Sequence, residues 1–159
     1  MSRIAMLELY QFDLSVKIAL LFSGIYLYVG MLTGVWKYYQ IAHSEQARAH
    51  YYVDIAHRSS LLYAPATLIL AVLAHFSVWN EWVNFWCVII NIVFFSFSII
   101  SYILHGILKD TSNQFKEPHQ IGTWTLPRIC MRLAMLSLIF AELAGTGLLL
   151  LGLALNLMP

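Results

Sequence analysis

Charge is scarce in this sequence. Nine Lys and Arg and eight Asp and Glu among 159 residues leave 11% charged, against roughly 25% in soluble domains. With 60% of the residues apolar, too little polar surface remains for a globular domain in water. Disorder is excluded from the other side, because a mean hydropathy of +0.73 and a net charge of +1 are the reverse of a chain that stays unfolded. No run of Lys and Arg exists to follow a nucleic-acid backbone, so no nucleic-acid partner is expected. Cysteine is nearly absent too: Cys87 and Cys130 have no CxxC spacing, which argues against a disulfide framework or a zinc or iron–sulfur site. Both read as helix-packing residues.

What is present is length of apolar run. A membrane helix needs about 20 apolar residues, and four such runs occur, at about 14–36, 61–79, 83–108 and 129–157. The expected fold is an all-α integral membrane four-helix bundle forming one domain, with two modest loops and no soluble domain. The first run is too long for the core of a cleaved signal peptide and reads as a span. Segment 37–60 is polar but has neither Gly nor Pro, so helix two is expected to continue through it into the cytoplasm. Pro65 then removes one backbone hydrogen bond inside that helix and is expected to kink it. Loop 109–128 contains Asp110, Ser112, Asn113, Pro118, Gly122 and Pro127 and is expected to be irregular.

Lys and Arg favour the cytoplasmic side of a membrane. Arg3 and Lys17 lie on the N-terminal side, whereas Lys37, Arg48, Arg58, Lys109, Lys116, Arg128 and Arg132 lie in or beside the loops after helices one and three. Both termini are therefore expected outside and both longer loops in the cytoplasm, in a bacterial inner membrane. Trp36, Trp79, Trp82, Trp86 and Trp124 fall near the expected interfaces, as amphipathic rings do.

Polar groups inside a bilayer are costly and are therefore candidates for function. Helix three carries Asn84, Asn91, Ser98 and His105 at intervals of seven, which places them on one face. A packed seam and a cavity lining are both open for the two asparagines, and Tyr102 and His105 are expected to line a cavity. Glu142, alone in an apolar stretch of helix four, needs a partner, and Asn91 at comparable depth is the expected one. Ser137, Ala141, Ala144 and Gly145 around it allow close helix approach. His43, His50 and His57 also recur every seven residues, with Asp54 between the last two, so one face of helix two is expected to carry three imidazoles and a carboxylate. Spread along about 21 Å of helix, they cannot share one metal ion. By depth, His57, Tyr63, Tyr102 and His105 are expected to meet in one layer, a rim histidine with phenols below it.

A histidine where helix two leaves the cytoplasm, a tyrosine 45 residues later near the end of helix three, and the loop Asn113-Gln114-Phe115 together resemble the styrene oxide isomerase family of small membrane proteins. The resemblance implies a homotrimer with ferric haem b at the subunit interface, and isomerisation of a lipophilic epoxide to a carbonyl compound. It implies His57 as the axial iron ligand and Tyr102 as the group holding the epoxide oxygen. Ala47-Arg48-Ala49 before His50 matches the family tripeptide that precedes its ligand, which keeps His50 as the rival. Where the family has an asparagine six residues after its ligand, this chain has Tyr63; a phenol can donate to an oxygen but occupies more of the pocket and lacks an amide's carbonyl acceptor. Arg58, Arg128 and Arg132 are the expected partners of the haem propionates. The competing reading is a haem-binding electron-transfer or accessory subunit of a membrane complex, in which His105 would be the second ligand; a packing subunit without cofactor is a third.

Overall fold

The computed structural model describes residues 12–158; Arg3, counted in the charge tally, lies outside the described residues. Four long helices dominate: α1 (Leu14–Ala42), α2 (Tyr51–His75), α3 (Glu81–Leu108) and α4 (Arg128–Leu157). All four are long and apolar enough to cross a membrane, and the fold is the all-α four-helix bundle expected. Each helix runs antiparallel to the next, so the 43–50 turn and the 109–127 loop share one face, and the short 76–80 turn lies on the other. The loop is not wholly irregular. It folds back as a small hairpin of β1 (His119–Ile121) and β2 (Trp124–Leu126), antiparallel with His119 opposite Leu126, around Gly122 at φ 58°.

Segment 37–60 departs from expectation. Helix α2 does extend ten residues before 61, but it starts at Tyr51, and residues 37–42 belong to α1. Side chains make the break that Gly or Pro would otherwise mark. His50 caps α2 by accepting from the Tyr52 N–H at 3.4 Å, Gln40 accepts from the His50 N–H at 2.8 Å, and Ala47 turns the chain at φ 51°. Lys37 and Asp54 then form an ion pair between the two helices. Consequently the three histidines do not share a face: His43 ends α1, His50 begins α2, and His57 alone of the three lies within α2.

Small residues explain the packing. Ala56, Ser60, Ala64, Thr67, Ala71 and Ala74 recur every three or four residues and are buried along α2, which lets backbones approach closely where lipid offers no hydrophobic driving force. Helices α1 and α2 pack most extensively, and a Cβ added at Gly30 would lie 2.6 Å from the Leu61 side chain. Several polar groups are satisfied across helices, the solution a bilayer favours. Tyr26 donates to the Ile92 carbonyl at 2.9 Å, and Glu81 accepts from the Ser15 N–H and hydroxyl, both at 2.8 Å, holding the start of α1 to the start of α3.

Helix α4 is docked unevenly. Its buried residues are Ala141, Gly145, Leu149 and Gly152, from the middle of the helix onward. There the short turn grips it: the Val78 N–H donates to the Gly152 carbonyl, Trp79 Nε1 to the Leu148 carbonyl at 2.8 Å, and Asn156 to the Phe76 carbonyl at 2.9 Å. Its first half stands away from the bundle, with Ile129, Leu133, Leu136 and Phe140 exposed. Cys87 is buried as expected, whereas Cys130 is exposed on this half and packs no helix interface within the chain.

Candidate functional site

His57 sits in a notch on α1. A Cβ on Gly34 would come within 2.9 Å of the His57 ring, so the imidazole lies where a side chain would otherwise be. Its Nδ1 is 2.8 Å from the Gly30 carbonyl oxygen. A carbonyl can only accept, so Nδ1 must carry the proton. In the neutral ring Nε2 is then the unprotonated nitrogen, the form in which a histidine ligates a metal while its other nitrogen is held by a carbonyl. His57 is half-buried. Its donor set suits a single axial bond to haem iron, which needs one protein nitrogen; among the described residues no group of three or more His, Cys, Asp and Glu could hold a bare metal ion.

A second arrangement forms where the 109–122 segment folds over the bundle. Tyr102 of α3 lines a cavity of about 330 Å³ with Tyr52, Ile55, Asn113, Gln114 and Phe115. The Tyr52 ring stacks on Tyr102 at 6.1 Å between centroids, and its hydroxyl accepts from the Gln114 N–H. Tyr102 thus lines a cavity as expected, but His105 does not. It is 3% exposed, and its Nδ1 meets Asp110 Oδ1 at 2.8 Å while Asp110 Oδ2 accepts from the Gly122 N–H at 2.6 Å. Burial pushes the Asp110 carboxyl up, but the Gly122 N–H and His105 more than offset this and hold it below the usual carboxylate range. His105 is the anchor of the loop.

The four residues expected in one layer are not brought together. Rise along the axis sets depth, but the 100° turn per residue sets direction. His57 lies about 160° around α2 from Ile55 and about 120° from Tyr63, so it faces α1 while the Tyr102 cavity opens on the other side. Tyr63 points into the bundle and stacks on Phe95 at 4.3 Å, within electrostatic reach of Tyr102 and Glu142. The expected Glu142–Asn91 bond is absent: Asn91 donates to the Cys87 carbonyl at 2.8 Å and accepts from Thr146 at 3.1 Å, and Glu142 Oε1 is buried without a hydrogen-bond partner. Asn84 and Asn91 are seam residues, 2% and 0% exposed.

The arginines sit at the loop-bearing face. Arg58 pairs with Asp54 at 2.7 Å and Arg128 with Glu117, while Arg132 lines a cleft of about 460 Å³ with Phe115, His119, Met131 and Met135. Tyr52 and Asp110 were missed by the sequence reading. Asp110 had a signal, an acidic residue just past a helix end and five positions from a membrane-depth histidine; Tyr52 had none. Comparison with protein-family models, curated proteins and solved structures finds no match for the chain.

Proposed function

We propose that the chain is a haem-dependent membrane isomerase that converts a lipophilic epoxide to a carbonyl compound, as a homotrimer with haem b between copies. The observation that carries the reading is His57 in the Gly30–Gly34 notch, with Nδ1 tied to a carbonyl and Nε2 left to ligate. It is supported by the meeting of Tyr102 with Asn113-Gln114-Phe115 in one cavity, since these are the residues on which the resemblance to the styrene oxide isomerases rests. His57 and that cavity face opposite sides of α2, so the reading requires that His57 of one copy and the cavity of a neighbouring copy meet across the boundary between them. The exposed first half of α4 and the surrounding lipid leave room for such a neighbour.

His57 would hold the haem, and the bound iron would supply Lewis acidity toward an epoxide oxygen. The chain's own residues do the rest. His57, fixed in one tautomer, presents a neutral nitrogen. Tyr102 donates a hydrogen bond to the oxygen as negative charge grows there, whereas Tyr63, stacked on Phe95 inside the bundle, does not line this cavity. Phe115, Ile55 and the tyrosine rings enclose the apolar part of the substrate and exclude water, which would otherwise give a diol. Arg58, Arg128 and Arg132 hold the propionates, the first two by exchanging their present carboxylate partners. Both termini lie outside and the two longer loops in the cytoplasm of a bacterial inner membrane, following the seven-to-two distribution of Lys and Arg.

The absorption spectrum of purified, haem-supplied protein tests the reading. A Soret band lost in His57→Ala and kept in His50→Ala is expected; no band in the native chain removes the proposal, and the reverse pattern moves the ligand to His50. A high-spin ferric signal is expected. A low-spin bis-histidine signal would instead favour the electron-transfer reading, which requires His105 to leave Asp110.

A further inference from the structure

We propose that a phosphate-bearing anion, supplied by a phospholipid headgroup, binds in the cavity between the α1–α2 turn and the C-terminal end of α3. This cavity, about 660 Å³, is lined by Tyr39, Gln40, His43, Arg48, His50 and Lys109 among others, and no carboxylate is among its lining residues. Arg48 and Lys109 make no ion pair among the described residues, whereas Lys37 and Arg58 on the same face share the carboxylate of Asp54. Three acids lie near the site and none lines it: Asp110 is held by His105 and the Gly122 N–H, Asp54, which shares the adjoining cavity with Arg48, is held by Lys37 and Arg58, and Glu45, in the same turn, is not among the lining residues. Two unpaired cations with imidazole and amide donors match the oxygens of a phosphate.

The backbone around the cavity is held in an unusual form. Ala47 and Lys109 are the non-glycine residues at positive φ among the described residues, both at 51°. One precedes Arg48 and the other is itself a lining residue. At Lys109 this conformation caps the end of α3, the N–H donating to the His105 carbonyl at 2.9 Å, and at Ala47 it is one that a Cβ disfavours. Depth selects a lipid as the source. The cavity lies at the ends of α1, α2 and α3, level with the exposed rings of Tyr38, Tyr39 and Tyr51, where interfacial aromatics meet headgroups and basic pockets recognise anionic lipids. Burial first, and then Lys109, hold the His50 imidazole below its usual range against the opposing pull of Asp110. A bound anion would raise it again.

The test uses the full chain, delipidated in detergent and offered an equal mixture of phosphatidylglycerol and phosphatidylcholine, with retained lipid read by native mass spectrometry. Preferential retention of phosphatidylglycerol is expected, weakened about thirtyfold in R48Q/K109Q at about fivefold per cation, and kept in R48K. Unchanged circular dichroism in each variant confirms folding. Equal retention of the two lipids, or a double variant that binds like the native chain, overturns the site. Displacement of phosphatidylglycerol by millimolar inorganic phosphate, with the same rise in the His50 titration midpoint, overturns the lipid source in favour of a soluble phosphate.

Discussion

Gly34→Ala separates the fold from the chemistry of His57. The added methyl would lie 2.9 Å from Cε1 and 3.0 Å from Nδ1 of the ring, where non-bonded carbons settle at about 3.5–4.0 Å. The imidazole must retreat by about 0.5 Å or more, which stretches the 2.8 Å bond from Nδ1 to the Gly30 carbonyl to about 3.3 Å, beyond good hydrogen-bond geometry. About 1 kcal/mol of hydrogen bond is lost. Replacing Gly by Ala within a helix returns about 0.8–1 kcal/mol, so overall stability should hardly move. The tautomer preference, however, should fall about fivefold. Nitrogen NMR of ¹⁵N-histidine protein in micelles reads this directly: native His57 should show a protonated Nδ1 and a bare Nε2, and the variant a mixture. With haem, affinity should fall by a similar factor. Native His57 protonated on Nε2 would refute the reasoning, as would a variant indistinguishable from the native chain.

Other predictions concern the loop, the cavity and the helix seam. Tyr102→Phe should leave haem bound while slowing epoxide turnover about a hundredfold or more, on the order expected for one lost donor to a developing oxyanion; unchanged turnover refutes the role. Asp110→Ala should cost about 2–3 kcal/mol, because it removes hydrogen bonds to a charged group and leaves His105 buried without its partner, measured by denaturant unfolding in detergent. The Asp110 carboxyl is depressed in the folded chain, so its contribution is complete above the unfolded value of about 3.9 and is lost as pH falls below it. The protection factor of the Gly122 amide, its exchange rate divided into the intrinsic rate at the same pH, should fall in that window and stay high above it. Gly145→Leu places bulk where even a Cβ would meet Asn91 Nδ2 at 2.7 Å, and should loosen α4 from α3 by about 1–3 kcal/mol, seen as a lower melting temperature.

The spans were legible because a bilayer imposes length and hydropathy on any helix that crosses it, and four apolar runs could have few other meanings. Helix ends were less so. The break at 43–50 is made by side chains, Gln40 accepting from the His50 N–H and His50 capping α2, and those contacts join residues whose pairing exists only after the chain has turned. Within the site, the depths of His57 and Tyr102 followed from rise per residue. Their opposite directions followed from the same helix, and 100° per residue would have shown that His57 turns from Ile55 and Tyr63. Which side of α2 faces α1 depended on the notch at Gly30 and Gly34, and a glycine in a membrane sequence does not announce what fills its place. The His105–Asp110–Gly122 chain needed the hairpin to form first, since it spans a loop that periodicity does not describe.

Helix α4 is gripped at the short-turn end by Phe76, Val78 and Trp79, and its other end leaves a cleft beside the loop. On the proposed isomerase reading, a lipophilic substrate would have a sideways door from the hydrocarbon in the cleft between α4 and the loop, lined by Phe115, Met131, Met135 and Leu136. Its supply is then governed by partition, by its mole fraction among the acyl chains, and the aqueous concentration enters only through that equilibrium. Adding inert lipid at constant total substrate dilutes what the protein meets, and a product more polar than its precursor leaves the door by drifting toward the headgroups.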